Sequence, residues 1–288
     1  MPVAELPPGR AGRLVSNDVT LCFPYWETAG GAQVWCSDGT PAGTAPFGPR
    51  LEALSAVALV DRRVFFLAQG SRSTPATLGS LTATELAATV SLTALGAEEP
   101  LGFTAAAGRL WFTARQAGDP ARHWWLWSSD GTPEGTRRLP AEVDRESLDP
   151  FTNEEELPLT ALGSRVYFAG EDDRHGRELW SSDGTVAGTG PMADLAPGLA
   201  DGAPLSNLVV WNGRLYFAAN DLQHGAELWS SDGTAAGTRL ELDLFPGPRW
   251  SWPGDLRVAG NRLYFAAQDE SHGREIWVLE PGSADGAP

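Results

Sequence analysis

The 288-residue chain contains no lysine; all 21 of its basic residues are arginine. Without that amine, Schiff-base and pyridoxal catalysis, a phosphate-cradling GK[ST] loop and SxxK acylation are excluded together. Cysteine is scarce, only Cys22 and Cys36, so a disulfide scaffold or a thiolate zinc site is ruled out by count. The four histidines do not form HExxH. No apolar run reaches membrane-spanning length, and the N-terminal MPVAELPPGR lacks the basic start and apolar stretch of a secretory signal. The chain as given therefore reads as cytoplasmic, exported only as a processed form, with Cys22 and Cys36 free in the first case and open to pairing in the second. Basic clusters are missing as well. At a formal net charge of -16, the summed field repels phosphate backbones and anionic headgroups, which argues against nucleic acid and membrane insertion.

What the sequence does have is repetition. VWCSDGTPAGT begins at Val34, LWSSDGTPEGT at Leu126, LWSSDGTVAGT at Leu179, LWSSDGTAAGT at Leu228, and a partial copy, IWVLEPG, at Ile276. A phenylalanine stands twelve residues before the tryptophan in four copies: Phe23 and Trp35, Phe168 and Trp180, Phe217 and Trp229, Phe265 and Trp277. The tryptophans from Trp127 onward are 53, 49 and 48 residues apart, whereas Trp35 to Trp127 is 92, close to two periods. RRVFFLAQG at Arg62 to Gly70, followed by ATLGSLTATELAAT, supplies the worn copy between them. Six units of about 48 residues account for the chain.

Within one unit, SNLVVWNG, RLYFAAND, AELWSSDG and GTRLELDL are β-type runs separated by NG, HG and DG turn signals, and no segment sustains a helical period. The pattern predicts an all-β, six-bladed β-propeller with four antiparallel strands per blade, one domain over residues 1–288. Its blades fall at about 10–50, 51–95, 100–140, 158–196, 204–245, and 254–279 plus 2–6. The last copy stops after its third strand, and VAELPPG at the N-terminus matches the fourth-strand ending MADLAPG. Val3 to Leu6 is therefore expected to pair with Arg274 to Leu279 and complete the last blade.

DGAPLSNLVVWNGRLYFAANDLQHGAELWSSDGTAAGT at Asp201 to Thr238 closely resembles the bacterial ELWxxDGT repeat. The match is specific there and in the fourth and sixth copies, weaker in the first and third, and nearly lost in the second. The resemblance implies a propeller and little chemistry, and it carries no catalytic residue onto this chain.

The repeated residues read as structural. SDGTxxGT suits a hairpin clasp, with calcium on the Asp as the alternative and no other cofactor or metal expected. DDRHG, DLQHG and DESHG place His175, His224 and His272 at equivalent points around a ring, each beside an Asp, with Glu178, Glu227 and Glu275 at the strand starts. Groups spread around a ring cap turns rather than converge on one ion.

Function is expected where the repeat breaks. Tyr25, Trp26 and Glu27 stand where other copies have AAND or AAQD, and are read as part of a loop on the ligand-bearing face. RQAGDPARHWW holds Arg115 and Trp124 in a turn three residues longer than standard, and PGPRWSWPG carries Trp250 and Trp252. Aromatic faces with polar neighbours suit a carbohydrate, small molecule or peptide. This is the preferred reading, with a monomeric chain. The alternative is a stand-alone hydrolase, lyase or cyclase using Arg13, Asn207, Asp255 and Arg257 near the axis, with Arg13, Asp255 and Arg257 as the catalytic candidates. An acidic insertion at residues 141–158 reads as a solvated loop, a lid, or a docking site for a basic partner.

Overall fold

The phenylalanine and tryptophan that recur through the chain are direct cross-strand neighbours. Phe23 faces Trp35, Phe168 faces Trp180, Phe217 faces Trp229 and Phe265 faces Trp277. In the third copy the extra residues go into the turn between strands Arg109–Gln116 and Trp124–Ser129, so Phe112 still faces Trp127. The twelve-residue spacing is thus a hairpin with two large aromatic side chains opposed, a cross-strand pairing that stabilises a sheet.

The computed structural model describes residues 4–17, 19–61, 63–68, 75–82, 85–121, 123–143, 159–198, 200, 202 and 208–282. They are almost entirely β, with a single 3-10 turn, Thr93–Leu95, among them. Two compact units divide the chain, one reaching from the N-terminus to Leu139 and the other starting at Pro140.

In the first unit, strands Gly9–Ala11, Val15–Ser16, Leu21–Glu27, Ala32–Ser37 and Ala45–Leu51 form one antiparallel sheet. Strands Ala56–Val60, Arg63–Ala68, Thr77–Leu81 and Leu86–Ser91 form the next, in chain order. Ala97–Ala106, Arg109–Gln116 and Trp124–Ser129 follow, and the division between units falls inside strand Arg137–Glu142. The second unit holds Thr160–Leu162, Arg165–Asp172, Gly176–Ser182 and Gly190–Ala193, then Val209–Trp211, Arg214–Asn220, Ala226–Ser231 and Arg239–Leu242. Gly254–Ala259, Arg262–Asp269 and Gly273–Leu279 complete it.

That last sheet has three strands among the described residues, and the N-terminal segment does not complete it. Val3 lies outside the described residues. Leu6 packs with Phe23, Tyr25 and Trp35 of the first sheet, and Gly9–Ala11 pairs with Tyr25–Glu27. Pro7 and Pro8 have no N–H to offer a ladder. Their carbonyls are used instead: Pro7 accepts from the Tyr25 hydroxyl, and Pro8 accepts from the Thr28 amide at 2.9 Å.

The SDGTxxGT turns are built alike in all four copies. The Asp carboxylate accepts from both the amide and the hydroxyl of the following Thr, at 2.9 and 2.7 Å each time. The first Ser and the last Thr share a hydroxyl bond across seven residues, 2.7 Å for Ser37 and Thr44 and 2.6 Å for Ser182 and Thr189. A Cβ at the second glycine would meet the Asp carboxylate, as at Gly188, 2.1 Å from Asp183 Oδ1, so only glycine fits. An arginine ties three of the four clasps to their sheets: Arg109 to Ser128 Oγ and the Gly135 carbonyl, Arg165 to Ser181 Oγ and the Gly188 carbonyl, Arg214 to Ser230 Oγ and the Gly237 carbonyl.

Cys22 and Cys36 are also a cross-strand pair, and they form a disulfide with their Cα atoms 4.1 Å apart. They occupy the register position of Tyr167 and Ser181, and of Tyr216 and Ser230, in later sheets.

Candidate functional site

The Asp and His of each HG box cap the turn between two strands. Asp172 accepts from the amides of Arg174 and His175 and from His175 Nδ1, the last at 2.9 Å. Asp221 and Asp269 repeat this with His224 and His272, whose Nδ1 atoms lie 2.7 and 2.8 Å from the carboxylates. The third copy holds a fourth pair, Asp119 and His123, at 3.2 Å. Its longer turn changes the spacing from three residues to four, which concealed it in the sequence. Hydrogen bonds from His272 bring Asp269 down to about 2. The Asp221 bond raises His224 above its ordinary value, against the opposing effect of burial. Among the described residues no cluster of three or more His, Cys, Asp or Glu is placed to hold a metal ion.

The glutamates of the ELW box do a second structural job that sequence reasoning placed only at strand starts. Glu178 and Glu227 are fully buried, each accepting backbone amides from the loop leaving its own sheet. Glu178 Oε1 takes the Ala196 amide at 2.9 Å; Glu227 takes those of Leu244 and Ser251 at 3.0 and 3.1 Å. Ser251 adds its hydroxyl to Glu227 at 2.6 Å. Gly202 holds the matching place beside Glu178, its amide on the Arg177 carbonyl as that of Ser251 is on Ala226. It has no hydroxyl, and Glu178 Oε2 is buried without a hydrogen-bond partner among the described residues. Desolvation, opposed by the loop amides, pushes Glu178 up to about 7. Glu275 is exposed.

The residues singled out by broken symmetry divide between the two units. Tyr25, Trp26 and Glu27 belong to strand Leu21–Glu27 rather than to a loop, and alternation sends their side chains to different surroundings. Tyr25 is buried against Phe23 and Trp35, and Glu27 is held by Arg50 at 2.7 Å to both oxygens. Trp26 faces a cavity of about 720 Å³, within the size range of small-molecule sites.

That cavity is walled by the inner strands of the first unit, including Leu14 to Ser16, Ser55 to Leu59 and Pro100 to Ala105, with Arg10 and Arg13 at its edge. The Arg10 guanidinium lies 5.8 Å from the centre of the Trp26 ring. Gly12 lets the chain pass over that ring: a Cβ there would stand 2.9 Å from Trp26 and 2.6 Å from Pro24. On the facing wall, Phe103 stacks on Phe112 at 5.2 Å. The Ala and Gly lining carries no distinctive motif, so only Arg13 and Trp26 were legible beforehand.

Arg115 lies over the Trp124 ring at 4.7 Å and 3.6 Å from Glu99, and neither Arg115 nor Trp124 lines this cavity. In the second unit Trp250 and Trp252 are neighbours, ring centres 4.3 Å apart, and Trp252 is 49% exposed with φ of 51°. Their carbonyls are held by Gln268 and Arg274. Asp255 and Arg257 are exposed in the same unit, and Arg257 donates to the Leu256 carbonyl. Asn207 and residues 144–158 of the acidic insertion lie outside the described residues. Arg13 belongs to the first unit and Asp255 and Arg257 to the second.

No family model and no curated protein matches the chain. Solved structures do. An uncharacterised protein of Listeria monocytogenes is 12% identical with a TM-score of 0.50, over 97% of this chain and 86% of its own. A prolyl endopeptidase gives 12% and 0.50, over 96% of this chain and 40% of that one. The β-propeller domain of the Trilobed protease from Pyrococcus furiosus gives 10% and 0.43, over 93% and 78%. The chain spans less than half the length of several of the peptidases it resembles. At such identities the likeness concerns the fold alone.

Proposed function

We propose that the chain is a six-bladed β-propeller of the ELWxxDGT-repeat kind, serving recognition, with a small molecule or peptide held in the cavity beside Trp26. The observation that carries this reading is the lining itself. An indole face, Phe103, Leu14 and Leu101 supply apolar surface, while Ser16, Ser55 and Thr104 supply hydroxyls. The enzyme alternative is less favoured because no Asp, Glu, His or Cys is among the described residues lining the cavity, which leaves its serine and threonine hydroxyls without such a base beside them. Carbohydrate is the ligand that the exposed Trp252 supports, since a strained and half-exposed indole is a ready stacking platform.

The Cys22–Cys36 disulfide supports an oxidising compartment over the cytoplasm. Saturation-transfer NMR against a fragment and glycan collection, repeated with Trp26→Ala and Trp252→Ala, tests the assignment. Loss of binding in Trp26→Ala alone supports the cavity; loss in Trp252→Ala alone moves the site to the second unit; turnover of any bound compound restores the enzyme reading.

A further inference from the structure

We infer that the ligand of the first-unit cavity is an anion with an aromatic or flat apolar body, a carboxylate being the simplest case. This rests on the cavity being the binding site and deepens that reading. Among the described residues on the lining, the charged side chains are Arg10 and Arg13, both cations. In a chain of net charge -16, that lining has the sign opposite to the chain's net charge, and a cleft lined by cations focuses anions locally. Guanidinium matches a carboxylate through two parallel hydrogen bonds, and does so more strongly where apolar walls lower the dielectric.

The aromatic element adjoins the charge. With the Arg10 guanidinium 5.8 Å from the Trp26 ring centre, a flat ligand lying on the indole would bring an attached carboxylate within reach of the arginine.

A second observation lies on the opposite wall. Strand Ala97–Ala106 loses register twice, between Glu98 and Leu101 and between Leu101 and Thr104, where it lines the cavity. Pro100, Gly102 and Phe103 have no Cα partner in that ladder, and Gly102 takes φ of 68°. Irregularities of this kind re-aim backbone beside binding sites. Amides in such a position are further donors suited to an anion.

The test uses the intact protein and three probes that share one ring system: naphthaleneacetate, naphthaleneacetamide and naphthalenemethylamine. Binding is measured by calorimetry and saturation-transfer NMR at low salt. The acetate is expected to bind about tenfold more tightly than the amide, the amine most weakly, with the preference falling as salt rises. Arg10→Ala should erase the difference between acetate and amide, Arg10→Lys should keep part of it, and Trp26→Ala should weaken all three. Thermal unfolding of each variant separates loss of fold from loss of binding. Equal affinities for the three probes, still lost in Trp26→Ala, would overturn the anion assignment and leave the cavity as a site. Absence of binding by every probe would overturn the cavity reading and this inference with it.

Discussion

Replacing Glu178 by Gln should change how stability depends on pH. Glu178 is fully buried, accepts the Ala196 amide through one oxygen and has no partner among the described residues for the other. Its pKa rises from 4.5 to about 7, and a shift of that size corresponds to about 3 kcal/mol. A carboxyl raised on folding binds its proton more tightly in the folded chain. Its contribution is therefore fully present below pH 4.5 and is lost as pH climbs through about 7. Gln keeps the shape and cannot ionise. Urea midpoints of wild type and Glu178→Gln, measured from pH 4.5 to 8, should diverge by about 1 M across that interval, wild type falling relative to the variant. Taking the difference cancels the titration of every other acid in this acidic chain. Glu227→Gln should show the same sign over a smaller span, because Ser251 supplies the hydroxyl that Glu178 lacks. A difference between wild type and Glu178→Gln that stays flat with pH would refute the argument.

Three further outcomes are expected. Asp232→Ala removes the acceptor for both the amide and the hydroxyl of Thr234 and should lower the melting temperature; chelation by EDTA should leave the wild-type melting temperature unchanged, and a drop would revive the calcium alternative. Thiol titration of the unfolded, unreduced protein should find no free cysteine, and reducing the Cys22–Cys36 bridge should cost about 3 kcal/mol for a loop of that length. NMR titration should find His224 above its ordinary value of 6.5, returning toward it in Asp221→Asn. The stability that the His224 proton adds is present below 6.5 while Asp221 stays ionised and is lost as pH rises through the raised value, opposite in charge type to Glu178 but alike in direction.

The sheets were legible because large residues recur at hairpin distance, and opposed aromatic pairs such as Phe217 and Trp229 leave the same trace in sequence and in register. The clasp was legible for a similar reason, since every partner of Asp232 lies within a few residues of it. The latch at Glu178 was not, because its partner Ala196 is eighteen residues away and contributes only backbone. Tyr25 to Glu27 were taken for a loop because their composition departs from the other copies, yet the backbone there continues a strand. Expected pairing of the N-terminus was read from likeness to MADLAPG. The prolines of that same motif favoured carbonyl contacts to Tyr25 and Thr28 in the first sheet.

The clasp leaves two positions outside its side-chain network: Pro41 and Ala42, Pro133 and Glu134, Val186 and Ala187, Ala235 and Ala236. All eight are exposed, and Pro41, Pro133, Val186 and Ala235 take part only through a main-chain carbonyl to the closing Thr. Such a tip is a permissive graft point, where foreign epitopes or reactive handles could be displayed at several addresses on one scaffold while the frame beneath them stays the same.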